Sequence, residues 1–78
     1  MNTVSVQFFG LLSEITGKQN LVLENVHDTD TMITTIQTLF PKLQQQNYMV
    51  AVNNTMINTN TILNNHCKVA CMPPFAGG

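Results

Sequence analysis

Apolar and polar residues alternate strictly near the start of the chain. Val4, Val6 and Phe8 fall on one side and Thr3, Ser5 and Gln7 on the other, the period-two signature of a half-buried strand. Gly10 breaks that alternation. Leu11, Leu12 and Ile15 then recur at helical spacing before Gly17, which predicts a short helix over 11–16 closed by a glycine in the left-handed conformation. Residues 20–26 alternate again, with Leu21 and Leu23 opposite Val22 and Glu24. They read as a second strand paired with the first, the short helix forming the connection.

A longer helix follows. Asp28, Thr29 and Asp30 supply capping oxygens and negative charge for its amino end. Ile33, Ile36 and Phe40, flanked by Met32, Leu39 and Leu43, form one apolar stripe. Thr31, Thr34, Thr35 and Thr38 occupy the remaining positions; threonine is a mediocre helix former, so this helix depends on docking. Pro41 marks its end with a final loose turn, and the run Gln44–Asn47 is too short to count as a low-complexity segment of any consequence. Tyr48 to Val52 is a third strand, Asn53-Asn54-Thr55 a turn, and Met56-Ile57 a short return strand. Residues 58–66 form a loop anchored by Ile62-Leu63, and residues 67–72 the last strand, stopped by Pro73-Pro74. The order β, short α, β, α, β, β, β predicts an α+β domain in which one mixed five-stranded sheet curls over one main helix.

Composition narrows the function classes. Three Lys, no Arg and four acidic residues give a formal net charge of −1, which leaves a phosphate backbone little to grip and argues against nucleic acid as partner. The polar quota is filled by ten Asn, ten Thr and six Gln. No apolar run approaches the roughly 20 residues that span a bilayer, and no signal peptide is visible, so neither a membrane nor export is expected. If residues 67–72 are a strand, Cys67 and Cys71 lie about 13 Å apart along it, beyond the roughly 7 Å limit for a disulfide. Free thiols point to the cytoplasm.

The carboxyl end is the feature that could carry chemistry. Gly77-Gly78 has no following residue to turn toward and contributes no packing. Two residues without Cβ make a thin tail able to enter a narrow channel on another protein, where the Gly78 carboxylate is open to activation as an acyl-adenylate. A frayed terminus is the alternative for a bare diglycine. The preceding Pro73-Pro74 shifts the balance, since its fixed φ projects the tail from the sheet as a stiff spur.

With Phe8-Phe9-Gly10 leading into Ser13–Gly17, with Ala51–Thr55, and above all with Val69–Gly78, the sequence resembles the small subunits of molybdopterin synthase. These are sulfur-carrier proteins of the ubiquitin-like β-grasp fold. The resemblance implies a β-grasp domain over residues 1–74 and a flexible diglycine tail over 75–78. It implies that an adenylating and sulfurating enzyme activates the Gly78 carboxylate with ATP and converts it to a thiocarboxylate, Gly77 giving the tail its access. It implies that the tail enters the large synthase subunit within a heterotetramer and gives its sulfur to a cyclic pterin phosphate. Met72, Pro73, Pro74, Phe75 and Ala76 would meet that partner. No active site of the chain's own and no permanently bound cofactor is implied.

Two departures bear on docking. Ser13 stands where the family usually has a basic residue, and Asn64–Lys68 replaces a usual acidic turn, so docking is expected to rely on apolar burial with little steering. Neighbouring readings are a carrier supplying sulfur to the thiamine thiazole or another product, a ubiquitin-like modifier joined to lysines, and a binding module with an inert end. The other candidates are weaker. His27, His66, Cys67 and Cys71 match no common zinc spacing and read as two surface imidazoles and two thiols sharing a strand face with Val69. The five Met residues read as scattered gap-fillers.

Overall fold

A computed structural model describes residues 2–74. Strand β1 (Thr3–Phe8) leads into helix α1 (Leu11–Thr16), and strand β2 (Asn20–Glu24) returns antiparallel to β1 with Val4 opposite Leu23 and Val6 opposite Leu21. Helix α2 (Thr29–Leu39) then crosses one face of the sheet to a 3₁₀ helix (Pro41–Gln45) and to β3 (Met49–Val52), β4 (Thr55–Ile57) and β5 (Cys67–Met72). The strand order is β2-β1-β5-β3-β4. Only the central β1–β5 pair is parallel; β1–β2, β3–β4 and β3–β5 are antiparallel. This is the predicted mixed five-stranded sheet over one main helix, the β-grasp arrangement.

Local chemistry explains the element ends. Gly17 takes φ 72°, and its N–H donates to the Ser13 carbonyl at 2.9 Å, as the glycine stop predicts. The β3–β4 hairpin has a two-residue loop, Asn53 and Asn54, both at positive φ (48° and 69°) between the opposed residues Val52 and Thr55. Positive φ at both positions is the loop geometry whose twist matches the flanking strands. The second strand is shorter than the expected 20–26, because Asn25 turns to φ 62° and its N–H donates to the Asn2 carbonyl. Tyr48 falls just before β3. Its hydroxyl accepts from Gln37 Nε2 at 3.0 Å, which ties the residue to α2 instead of to the ladder.

The core lies between α2 and the inner sheet face. Val4, Val6 and Phe8 from β1, Leu23 from β2, Val50 and Val52 from β3, and Cys67, Val69 and Cys71 from β5 are all buried. The helix presents a face rotated from the expected one. Thr29, Met32 and Ile36 are its buried residues, Ile33 and Phe40 only border the core, and Leu39 is 53% exposed. Thr29 starts the buried stripe although it is polar, since its hydroxyl donates to Asn60 Oδ1 and accepts from the Thr61 N–H. At the other end Phe40 leaves helical geometry (φ −130°, ψ 82°), so Leu43 of the 3₁₀ helix completes the stripe. Gln44 and Gln45 of the glutamine run lie in that 3₁₀ helix. Phe40 meets Phe8 edge-on, with ring centroids 6.1 Å apart.

The loop from 58 to 66 is held at both ends. Leu63 is buried, whereas Ile62 is 69% exposed and attaches through a backbone bridge to Asp28. Of the two expected anchors, Leu63 is the one that acts through its side chain. Among the described residues no helix is long and apolar enough to cross a membrane.

Candidate functional site

The root of the carboxyl tail sits at one end of the central strand pair. Phe8 and Cys71 are register partners, and the Phe9 N–H donates to the Cys71 carbonyl at 3.1 Å. The β1–β5 ladder thus runs to the last residues of β5. Gly10 follows with φ 57° and ψ −133°, a backbone conformation that side chains strongly disfavour. A Cβ built there would stand 3.1 Å from Pro73 Cγ. The chain therefore approaches Pro73 closely where it turns into α1. Pro73 is half-buried by this contact and Pro74 is exposed. Pro73 is thus packed against the turn, and the expected projection of the tail beyond Pro74 lies outside the described residues.

Met72, Pro73 and Pro74 are thus placed at an accessible end of the sheet. Phe75, Ala76, Gly77 and Gly78, the remaining residues of the expected site, lie outside the described residues.

The outer sheet face beside this root is apolar and small. Register sets Met49 opposite Met72, Ala51 opposite Ala70, and Ala51 opposite Met56. Alternation puts all five on the side away from α2, since their neighbours Val50, Val52, Val69 and Cys71 are buried in the core. Met49 and Met56 are 43% and 46% exposed, and Phe9 at the adjoining end of β1 is 45% exposed. Large exposed apolar side chains gathered on one face mark an interaction surface. The methionines are therefore not scattered gap-fillers. Met32 alone of the four described is a core residue, and three line the outer face. Gly10, Met49 and Met56 were not singled out as site residues by sequence reasoning. For Met49 the alternation of β3 carried a signal, but its pairing with Met72 is a matter of register.

The thiols face inward. Cys71 is fully buried and Cys67 is 4% exposed. Burial pushes the Cys71 thiol up to about 12 and raises that of Cys67, so neither is a nucleophile near neutral pH. His27 and His66 are exposed, and among the described residues no group of three or more His, Cys, Asp or Glu side chains is placed to hold a metal ion. Two open clefts flank the sheet. One of about 310 Å³ includes Gln7, Phe9, Gly10 and Ser13, and one of about 490 Å³ lies between α2 and β3–β4, with Ile33, Tyr48, Val50 and Ile57 among its lining.

A tail root pinned to the β1–α1 turn, at the end of a β-grasp sheet, directs attention to proteins that share both the fold and the terminal segment. The model of the ThiS family matches residues 6–78. The chain belongs to the ThiS family. Along its whole length and the whole of the relative, this ThiS-family chain is 29% identical to the molybdopterin synthase sulfur carrier subunit of Mycobacterium tuberculosis. Among solved structures, small archaeal modifier protein 1 from Methanosarcina acetivorans superposes with a TM-score of 0.84 at 19% identity, covering 100% of this chain and 98% of that one. A chain of the complex of subunits 1 and 2 of molybdopterin-converting factor from Helicobacter pylori matches with a TM-score of 0.72 at 24% identity, covering 97% and 99%. The fold is the ubiquitin-like β-grasp of sulfur carriers, as the sequence resemblance implies.

Proposed function

We propose that this chain is the sulfur-carrier subunit of a molybdopterin synthase, with the α-carboxylate of Gly78 as its working group. The observation that carries the reading is the end-to-end match to the sulfur carrier subunit of Mycobacterium tuberculosis, which reaches the terminal diglycine. The carboxylate attacks the α-phosphate of ATP on an adenylating enzyme, and pyrophosphate leaves. A sulfur nucleophile then displaces AMP and leaves a thiocarboxylate. Its sulfur adds to a cyclic pterin phosphate in the large subunit, and hydrolysis of the acyl–sulfur bond restores the carboxylate. The domain's part is positional: Gly77 and Gly78 give a tail slim enough for both active sites, and the Gly10–Pro73 contact sets where it starts.

Docking to the large subunit falls to the apolar outer face of Met49, Ala70, Met72 and Met56 with Pro73 and Pro74 beside it, and Phe75 and Ala76, which follow in sequence, are proposed to join it. Lys68 is the only charged residue of β5, so this face offers burial more than steering. The buried free thiols support a reducing, cytoplasmic setting.

Intact-mass analysis tests the chemistry. Incubation with ATP, sulfide and the adenylating enzyme should add about 16 Da, the exchange of oxygen for sulfur that follows acyl activation. Absence of that species removes every carrier reading, and conjugates to lysine would instead favour a ubiquitin-like modifier. Co-purification with the large synthase subunit separates this reading from a carrier for the thiamine thiazole.

A further inference from the structure

Among the described residues the fold sorts the sulfur atoms by sheet face. Cys67, Cys71 and Met32 point into the core, at 4%, 0% and 0% exposure. Met49 and Met56 are 43% and 46% exposed, and Met72 is half-buried. These three share the outer face through the Met49–Met72 and Ala51–Met56 register pairs, with Ala51 and Ala70 between them. Alanine at both central positions keeps the surface low there and leaves the longer methionine side chains standing beside it. Thiolates ordinarily outcompete thioethers for peroxide. Here both thiols are enclosed, and burial holds them protonated. An oxidant arriving from solvent meets methionine sulfur first.

We propose that Met49, Met56 and Met72 form a methionine-sulfoxide modification site, at which a hydroperoxide releases this chain from its docking partner. The inference rests on the outer face being the docking surface for the large subunit. In the reaction a sulfur lone pair attacks the terminal oxygen of the hydroperoxide. The S–O bond forms as the O–O bond breaks, and the proton of the transferred oxygen moves to the departing one, which leaves as water or an alcohol. Sulfur is oxidised by two electrons and the peroxide reduced by two. The product places a strongly polar acceptor in a surface built for apolar burial: Met49 and Met72 face each other and Met56 faces Ala51, so no register partner offers it a side-chain donor. Methionine sulfoxide reductase returns the thioether, two thiols supplying the electrons as they form a disulfide and the oxygen leaving as water.

The experiment uses the full chain in its carboxylate form, so that no tail sulfur competes. Hydrogen peroxide is titrated in, oxidation is mapped by peptide mass, and affinity for the purified large subunit is measured by calorimetry. Sulfoxide should accumulate at Met49, Met56 and Met72 before Met32, affinity should fall at least about tenfold, and the reductase should restore it. The variant M49L/M56L/M72L is compared with itself before and after treatment: its own affinity, at whatever level the leucines set it, should not change with peroxide. The milder M49L/M56L, which keeps half-buried Met72, should lose most of the response. Circular dichroism before and after treatment separates release from unfolding. Oxidation of Met32 first, or unchanged affinity after all three outer methionines are oxidised, overturns the inference while leaving the docking reading intact. An untreated chain that does not bind the large subunit overturns the docking reading and this inference with it.

Discussion

Pro73 packs on the backbone of Gly10, close enough that a Cβ on Gly10 would stand 3.1 Å from Pro73 Cγ. The pair joins the turn after β1 to the first residue past β5.

The variant Gly10→Ala meets two penalties at once. Its backbone must hold φ 57°, ψ −133°, and its methyl must move Pro73. We expect a loss of about 1–3 kcal/mol in urea unfolding, with a β-sheet spectrum retained. Thiocarboxylate formation, followed by intact mass, should also slow, because the tail leaves from a displaced root. Parent-like stability together with parent-like loading would show that Gly10 does not hold it.

The thiols predict an alkaline limb in stability. Burial raises Cys71 from the ordinary 9.0 to about 12 and also raises Cys67. The unfolded chain therefore loses those protons first as pH climbs. The stabilisation from keeping Cys71 protonated is complete below pH 9 and is lost progressively as pH rises toward about 12. Thermal melts from pH 8 to 11 should show a falling Tm, flattened in Cys71→Ala. That variant should itself cost about 1 kcal/mol at neutral pH for the small cavity. At pH 8 a thiol reagent should find neither cysteine in the native protein and both in denaturant.

Asn53 and Asn54 should respond differently although both have positive φ. Asn53 Oδ1 accepts from the Lys68 N–H at 2.9 Å, and its own N–H donates to the Lys68 carbonyl, so it clips the hairpin to β5. Asn54→Gly should leave stability within about 0.5 kcal/mol of the parent or raise it, because Asn-Gly is the favoured pair for this loop. Asn53→Ala should cost about 2 kcal/mol through left-handed strain and the lost hydrogen bond. Equal effects in urea titration would contradict the clip.

The amino end of α2 predicts an acid limb. Hydrogen bonds from Thr31 and then Asn60 hold the Asp28 carboxyl below its ordinary 3.8. Its contribution is therefore complete above about pH 3.8 and disappears as pH falls through the lowered value. Asp28→Ala should lower Tm at pH 6 and weaken its fall between pH 4 and 2. Thr29→Val, which strips the hydroxyl from Asn60 and the Thr61 N–H, should cost roughly 1–3 kcal/mol at either pH.

The alternation of Val4, Val6 and Phe8 and the Gly17 stop were legible because each is a local rule read over a few residues. The same holds for the inward face of Cys67, Val69 and Cys71. The face of α2 was misread for an equally local reason. Thr29 is polar, so a hydrophobic pattern skips it, and its burial depends on Asn60 and Thr61, some 30 residues downstream. The methionines were misread because Met49, Met56 and Met72 are far apart in sequence and are joined only by strand register.

By itself, then, the sequence determined the elements, the mixed sheet over one helix, and the terminal segment on which the family resemblance chiefly rests. These follow from side-chain periodicity, turn chemistry and a continuous motif, all of which act at short range. The tertiary structure alone decided which neighbours each element keeps. It set Pro73 on Gly10, gathered three methionines on one outer face, and enclosed both thiols. Such relations arise from pairing β1 with β5 and β5 with β3, contacts between distant segments whose register the alternation of either strand leaves open.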